Sequence, residues 1–175
     1  GTFEFEMEYS REEMDDVMVT RLPDRKGTEG AVSPMEMEML PLSFAPDSGS
    51  MPGRAVGSAT SGDATVVIRE LSDSGQFGGG ESESYLAVSP RTPHNGYVLP
   101  GTSLNATVQR GGSTVFDGRL AKTLDPALDF HYGATIDPLE PGDEISLEFG
   151  SPPQLARHEG YETAFLEMPS VTTTV

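Results

Sequence analysis

Hydrophobic and polar positions alternate with period two in several short stretches of the chain. Phe3, Phe5 and Met7 alternate with Glu4, Glu6 and Glu8, the pattern of a half-buried strand. Asp16–Leu22 reads as a second short strand, and Met35, Met37 and Met39 alternate with Glu36 and Glu38 up to Pro41. Residues 43–63 are rich in Ser, Gly and Pro and read as irregular connection. Ala64–Leu71 (ATVVIREL) predicts a strong strand, and Tyr85–Val88 begins another. Between them, Ser72–Ser84 has the composition of an exposed, flexible loop. Pro90–Pro100 is turn-rich. Ser103–Gln109 and Thr114–Phe116 flank Arg110-Gly111-Gly112-Ser113, which predicts a hairpin. Thr123–Asp129 reads as a loop and Phe130–Ile136 as a short strand. Glu144–Phe149 alternates clearly, Pro152-Pro153 breaks the chain, and Thr163–Met168 predicts a last strand.

No ten-residue segment carries a convincing helical period. Eight or nine short strands with frequent turns predict an all-β fold closed as an antiparallel β-sandwich. The expected division is residues 1–40 as an N-terminal strand extension packing on the sandwich, and 41–175 as the sandwich itself. A chain of 175 residues is long enough for one such core.

Charge changes the picture of the surroundings. There are 28 acidic residues against 11 basic ones, for a net charge of −17. Only Lys26 and Lys122 are lysines. Acids spread along the chain with scarce lysine fit a surface built for a high-salt medium, where screening would otherwise let molecules associate. An acidic binding face is the other reading. A pI near 4.3 excludes nucleic-acid binding through phosphate neutralisation. No stretch has the roughly 20 apolar residues of a membrane helix. No basic leader with an apolar core is present, so the chain either lacks a signal peptide or begins after one. The absence of cysteine excludes disulfides, Cys-ligated zinc and thiol catalysis.

Candidate chemistry is sparse. Gly78-Gly79-Gly80 lacks the lysine and helix of a P-loop, and no Gly-x-Ser-x-Gly elbow occurs. Acid pairs are too numerous to mark a catalytic site, and no enzyme activity is expected. Three histidines, His94, His131 and His158, lie in or beside turns. Imidazole is the commonest transition-metal ligand, and Glu159, Glu162 or a methionine could complete a site. Each histidine could equally cap a loop carbonyl. Met35, Met37 and Met39 suit adaptable core filling, whereas Met51 falls in an irregular segment and is the methionine most open to ligation. Asp125, Asp129, Asp137 and Asp143 offer a calcium reading without EF-hand spacing. Asn105-Ala106-Thr107 is an N-glycosylation triplet, which matters if the protein is exported and Asn105 faces out of its strand.

Several motifs together carry a resemblance. They are Tyr85–Val88 with Ser89-Pro90-Arg91-Thr92-Pro93, Leu124-Asp125-Pro126, His131-Tyr132-Gly133-Ala134, Ser151-Pro152-Pro153, and the run from Ala156 to Met168. The chain from Tyr85 to Met168 resembles haloarchaeal exported proteins that are similar to the bacterial periplasmic iron-transport family. That resemblance implies an immunoglobulin-like sandwich, a homodimer, and copper or iron held by His, Met and carboxylate ligands. It also implies a ferrous-iron permease as membrane partner and an extracellular or cell-envelope location, with a lipid anchor. His131 matches the His-Tyr-Gly-Ala histidine and His158 matches one after the Pro-Pro stretch, both metal ligands in that family. Glu159 and Met51 are the further candidate ligands. The family's His-x-Glu has no counterpart in Ala64–Leu71, and its methionine ligand is replaced by Leu124 or a close neighbour. Two readings follow: a non-enzymatic metal-binding protein of iron or copper acquisition, or a metal-free structural or interaction module of a halophile surface.

Overall fold

The computed structural model describes residues 44–155 and 163–175. The strands predicted over Phe3–Met7, Asp16–Leu22 and Met35–Met39, the expected 1–40 extension, and His158 and Glu159 lie outside the described residues. Among the described residues nine strands follow one another: β1 (Arg54–Ser61), β2 (Ala64–Leu71), β3 (Ser84–Arg91), β4 (Ser103–Arg110), β5 (Ser113–Arg119), β6 (Ala121–Asp125), β7 (Asp129–Ile136), β8 (Glu144–Ser151) and β9 (Val171–Thr174). They form two antiparallel sheets, one ordered β1-β2-β3-β7-β6 and the other β5-β4-β8-β9. The result is the all-β sandwich that the alternation predicts, with the immunoglobulin-like form that the resemblance implies.

The core between the sheets follows from the alternation. Val66 and Ile68 of β2, Leu86 and Val88 of β3 and Tyr132 of β7 face Leu104, Ala106 and Val108 of β4 and Ile145 and Leu147 of β8. Each large apolar side chain buried there contributes roughly 1.5–3 kcal/mol. On β4 the intervening residues are polar and more exposed, so that sheet's outer face meets solvent. On β2 and β3 nearly every residue is buried. The physical reason is a second apolar cluster on the outside of the five-stranded sheet, formed by Met51, Val67, Leu71, Tyr85, Ala87 and Leu128. A third cluster of Ala64, Leu99 and Phe165 plugs one end. The hairpin predicted at Gly111-Gly112 joins β4 and β5, with φ of 58° and 81°, the conformation that makes glycine the fitting residue for a two-residue turn.

Four segments differ from the sequence reading. The irregular stretch 43–63 contains β1, an edge strand of small residues. A Cβ at Gly57 would lie 2.8 Å from Thr173 Oγ1 of β9, so small residues let the two sheets meet along that side. The loop expected at Thr123–Asp129 instead contains the end of β6 and its turn into β7. β6 is an exposed edge that carries Leu124 at 75% exposure, so it has no buried alternation to read. Thr163–Met168 is not a strand. Phe165 takes a left-handed φ of 60°, donates its N–H to Asp63 at 3.0 Å and buries its ring against Ala64 and Leu99. The last strand is β9, built from Val171 and three threonines. Finally, Ser72–Ser84 holds a short 3-10 turn, Gly75–Phe77, whose Phe77 packs onto the sheet, while Ser74 is buried and donates to Glu83 O at 2.8 Å.

Candidate functional site

His131 stands on β7 with its side chain on the outer face of the five-stranded sheet, fully buried. The ring is edge-on to Phe77 and Tyr85, with centroids 5.9 and 5.7 Å away. Phe77 and Tyr85 are themselves stacked at 3.8 Å. Nδ1 lies 2.8 Å from Asp129 O and therefore carries the proton it donates to that carbonyl. Nε2 keeps its lone pair and accepts from the Tyr85 hydroxyl at 3.1 Å. A backbone carbonyl on one nitrogen and a lone pair on the other is the tautomer of a ligating histidine. Burial pushes the His131 pKa below the ordinary histidine value; the Asp129 carbonyl and the charges of Asp125 and Asp129 act in the opposite direction. The ring is held neutral. Burial likewise raises the Tyr85 pKa, so its phenol stays protonated and able to donate.

The His-Tyr-Gly-Ala motif has a residue-by-residue physical meaning. Alternation sends His131 outward and Tyr132 inward, where its hydroxyl donates to Leu99 O at 3.1 Å and burial pushes its pKa up to about 12. Gly133 lies beneath Tyr85. A Cβ there would sit 2.1 Å from the Tyr85 oxygen, so a bare backbone is what lets the phenol cross to His131. Ala134 packs against the inter-sheet core.

Met51 shares the outer cluster with Tyr85 and is 2% exposed. Its sulfur lies 3.2 Å from Arg91 Nη2, which donates to it. The same guanidinium donates to Ser89 Oγ at 2.8 Å and to Pro46 O. Arg69, which follows the apolar run Val66-Val67-Ile68 of β2, donates to the carbonyls of Met51, Pro52 (3.2 Å) and Gly53 (2.9 Å). Two buried arginines thus fasten the 46–53 segment across the sheet. A cation would not gather readily beside Met51, where a guanidinium already occupies the thioether. Tyr85, Phe77, Arg69 and Arg91 were not singled out from sequence as site residues. The available signal was a pair of charged residues, Arg69 and Glu70, directly after the apolar run Val66-Val67-Ile68, and an aromatic residue at 77 in a Gly/Ser loop.

The other candidates are dispersed. His94 is exposed in the turn between Thr92 and Tyr97. The calcium reading fails on geometry: Asp143 is bound bidentately by Arg110 (2.9 and 2.8 Å), Asp125 accepts the N–H groups of Ala127 and Leu128, and Asp129 accepts that of Phe130. A groove of about 490 Å³ is lined by Arg54, Glu70, Glu81 and Glu83. Its buried carboxylate, Glu70, is already satisfied by Arg54 and by Leu139 N–H. Among the described residues no three His, Cys, Asp or Glu converge as a metal-ligand group. The donor set there fits a transition metal at one position, His131 Nε2, and does not by itself complete a centre.

The family model of a domain of unknown function, DUF7350, matches residues 49–174. No curated protein is similar to the chain in sequence. Among solved structures, a copper-bound variant of FetP from uropathogenic Escherichia coli strain F11 is similar with TM-score 0.53 at 16% identity, covering 69% of this chain and 93% of that one. FetP of the same strain as isolated gives 0.53 at 17%, covering 69% and 91%. A copper-bound variant of Campylobacter jejuni P19 gives 0.52 at 13%, covering 69% and 93%. At these identities the likeness is one of fold.

Proposed function

We propose that this chain, which belongs to the DUF7350 family, is an exported, non-enzymatic metal-binding protein of copper or iron handling. The observation that carries the reading is His131: a neutral imidazole with Nδ1–H fixed on Asp129 O and its Nε2 lone pair met only by a rotatable hydroxyl. The fold is that of copper-bound FetP and P19. His131 would give one ligand, after the Tyr85 O–H turns away. His158 and Glu159 are the proposed further ligands, and a membrane permease and a second copy of the chain the proposed partners. Met51 is the weakest candidate, because Arg91 holds its sulfur. The acidic surface would suit a high-salt exterior.

A second reading is favoured by the same surroundings. Tyr85 and Phe77 pack their rings against His131, whose Nε2 already accepts from the Tyr85 hydroxyl. A metal-free interaction module would look like this. Calorimetric titration with Cu(II) and Fe(II) in molar salt, on the wild type and on His131→Ala and His158→Ala, separates the two. The metal reading expects saturable binding lost in both variants. Absent binding selects the metal-free module, and binding indifferent to both changes rejects a site built on His131 and His158.

A further inference from the structure

We propose that Asn105 is a site of N-glycosylation. The chain has two asparagines, and of these Asn105 stands in an Asn-x-Thr triplet whereas Asn95 is followed by Gly96-Tyr97. A triplet alone is common by chance. The fold adds the condition that most buried triplets fail. Leu104, Ala106 and Val108 of β4 point into the core at 0–1% exposure, so Asn105 and Thr107 both point out of the same sheet face. Asn105 is exposed, and its amide makes no hydrogen bond among the described residues. Its cross-strand neighbours, Arg119 on β5 and Glu148 on β8, are themselves exposed and polar. Thr107 Oγ1 reaches only Asp117 Oδ1, at 3.3 Å. Because β4 is an inner strand, its backbone is already laddered on both sides. A glycan would therefore leave the sheet into solvent without breaking a backbone bond or displacing a core side chain.

The modifying step needs a polyisoprenyl-phosphate-linked oligosaccharide as donor. Asn105 Nδ2 forms a bond to the anomeric carbon of its first sugar. The bond from that carbon to the phosphate oxygen breaks, its electron pair leaves with the lipid phosphate, and the amide gives up one proton. The sugar would then cover the outer face of the four-stranded sheet, on the opposite side of the sandwich from His131. This inference rests on the export part of the proposed function and is independent of metal binding.

The test is to secrete the full chain behind an added leader from a host that N-glycosylates, beside a reporter with a used site. Intact mass and peptide mapping of the secreted protein give the answer. The expected result is a single glycan on Asn105, released by a glycan-removing amidase, lost in Asn105→Gln and Thr107→Ala and kept in Thr107→Ser. The Thr107 pair serves as the readout if Asn105→Gln fails to fold. Protein of bare mass beside a glycosylated reporter would overturn the inference, as would a glycan mapped to another residue. Copper titration of the same sample keeps the two readings apart, since either can fail with the other intact.

Discussion

His131 has no exposed surface, and both of its ring nitrogens are engaged, so its protonation is tied to folding. Its pKa lies below the unfolded value of about 6.5, which means the unfolded chain takes the proton more readily. The stability from neutral His131 is therefore complete above pH 6.5 or so and is lost as the pH falls through the lower folded value. Thermal melts in constant molar salt should show a flat midpoint from neutral pH upward and a decline below about 6.5. His131→Gln should flatten the upper part of that decline, before the carboxylates titrate; identical slopes in both proteins would refute the linkage. Gly133 makes a second residue-scale point. Adding a methyl at 2.1 Å from the Tyr85 oxygen forces that ring aside, so Gly133→Ala should cost about 1–3 kcal/mol. Denaturant melts check this, and a midpoint equal to that of the wild type would show that Tyr85 does not need the gap.

At the scale of elements, the 46–53 segment is held by side chains rather than by a ladder of its own. Arg69 alone ties down three of its carbonyls, and Arg91 ties down Pro46 O and the Met51 sulfur. Arg69→Ala should therefore leave the strands paired but speed amide hydrogen exchange in the 46–53 segment and in Phe77, which shares the cluster with Met51. Exchange unchanged in that segment would mean that Met51 burial suffices to hold it. Arg110 plays a comparable part on the far side. Its guanidinium beside Asp143 holds that carboxyl below the usual carboxylate range and joins the end of β4 to the turn before β8. Sequence cannot show such fastenings, because the partner is a backbone carbonyl or a side chain tens of residues away.

At the scale of the whole molecule the net charge of −17 dominates. Like charges repel in the compact state, and screening relieves that repulsion over a Debye length of about 10 Å at 0.1 M salt and about 3 Å at 1 M. The melting midpoint should rise between low salt and molar KCl. A midpoint that falls or stays level over that range would reject the high-salt reading. The same screening is why metal titration belongs in molar salt, where casual cation binding to the acidic surface is suppressed.

The amino-acid order alone carries the fold class and the strands whose two faces differ. Leu104, Ala106 and Val108, or Ile145 and Leu147, alternate with polar residues because one face meets the core and the other meets water. It also marked His131 as a candidate and Gly111-Gly112 as a turn. Tertiary packing, in contrast, sets which edge strands form, because β1 and β6 bury too little for alternation to record and are fixed by their neighbours. It alone turned Thr163–Met168 from an apparent strand into a plug, since Phe165 is held by Asp63, a hundred residues earlier. And it alone supplied the surroundings of His131, where Tyr85 crosses Gly133 and Phe77 folds back from a Gly/Ser loop. Period and composition report how each residue meets solvent. Which side chains meet one another depends on sheet order and register, which local sequence does not encode.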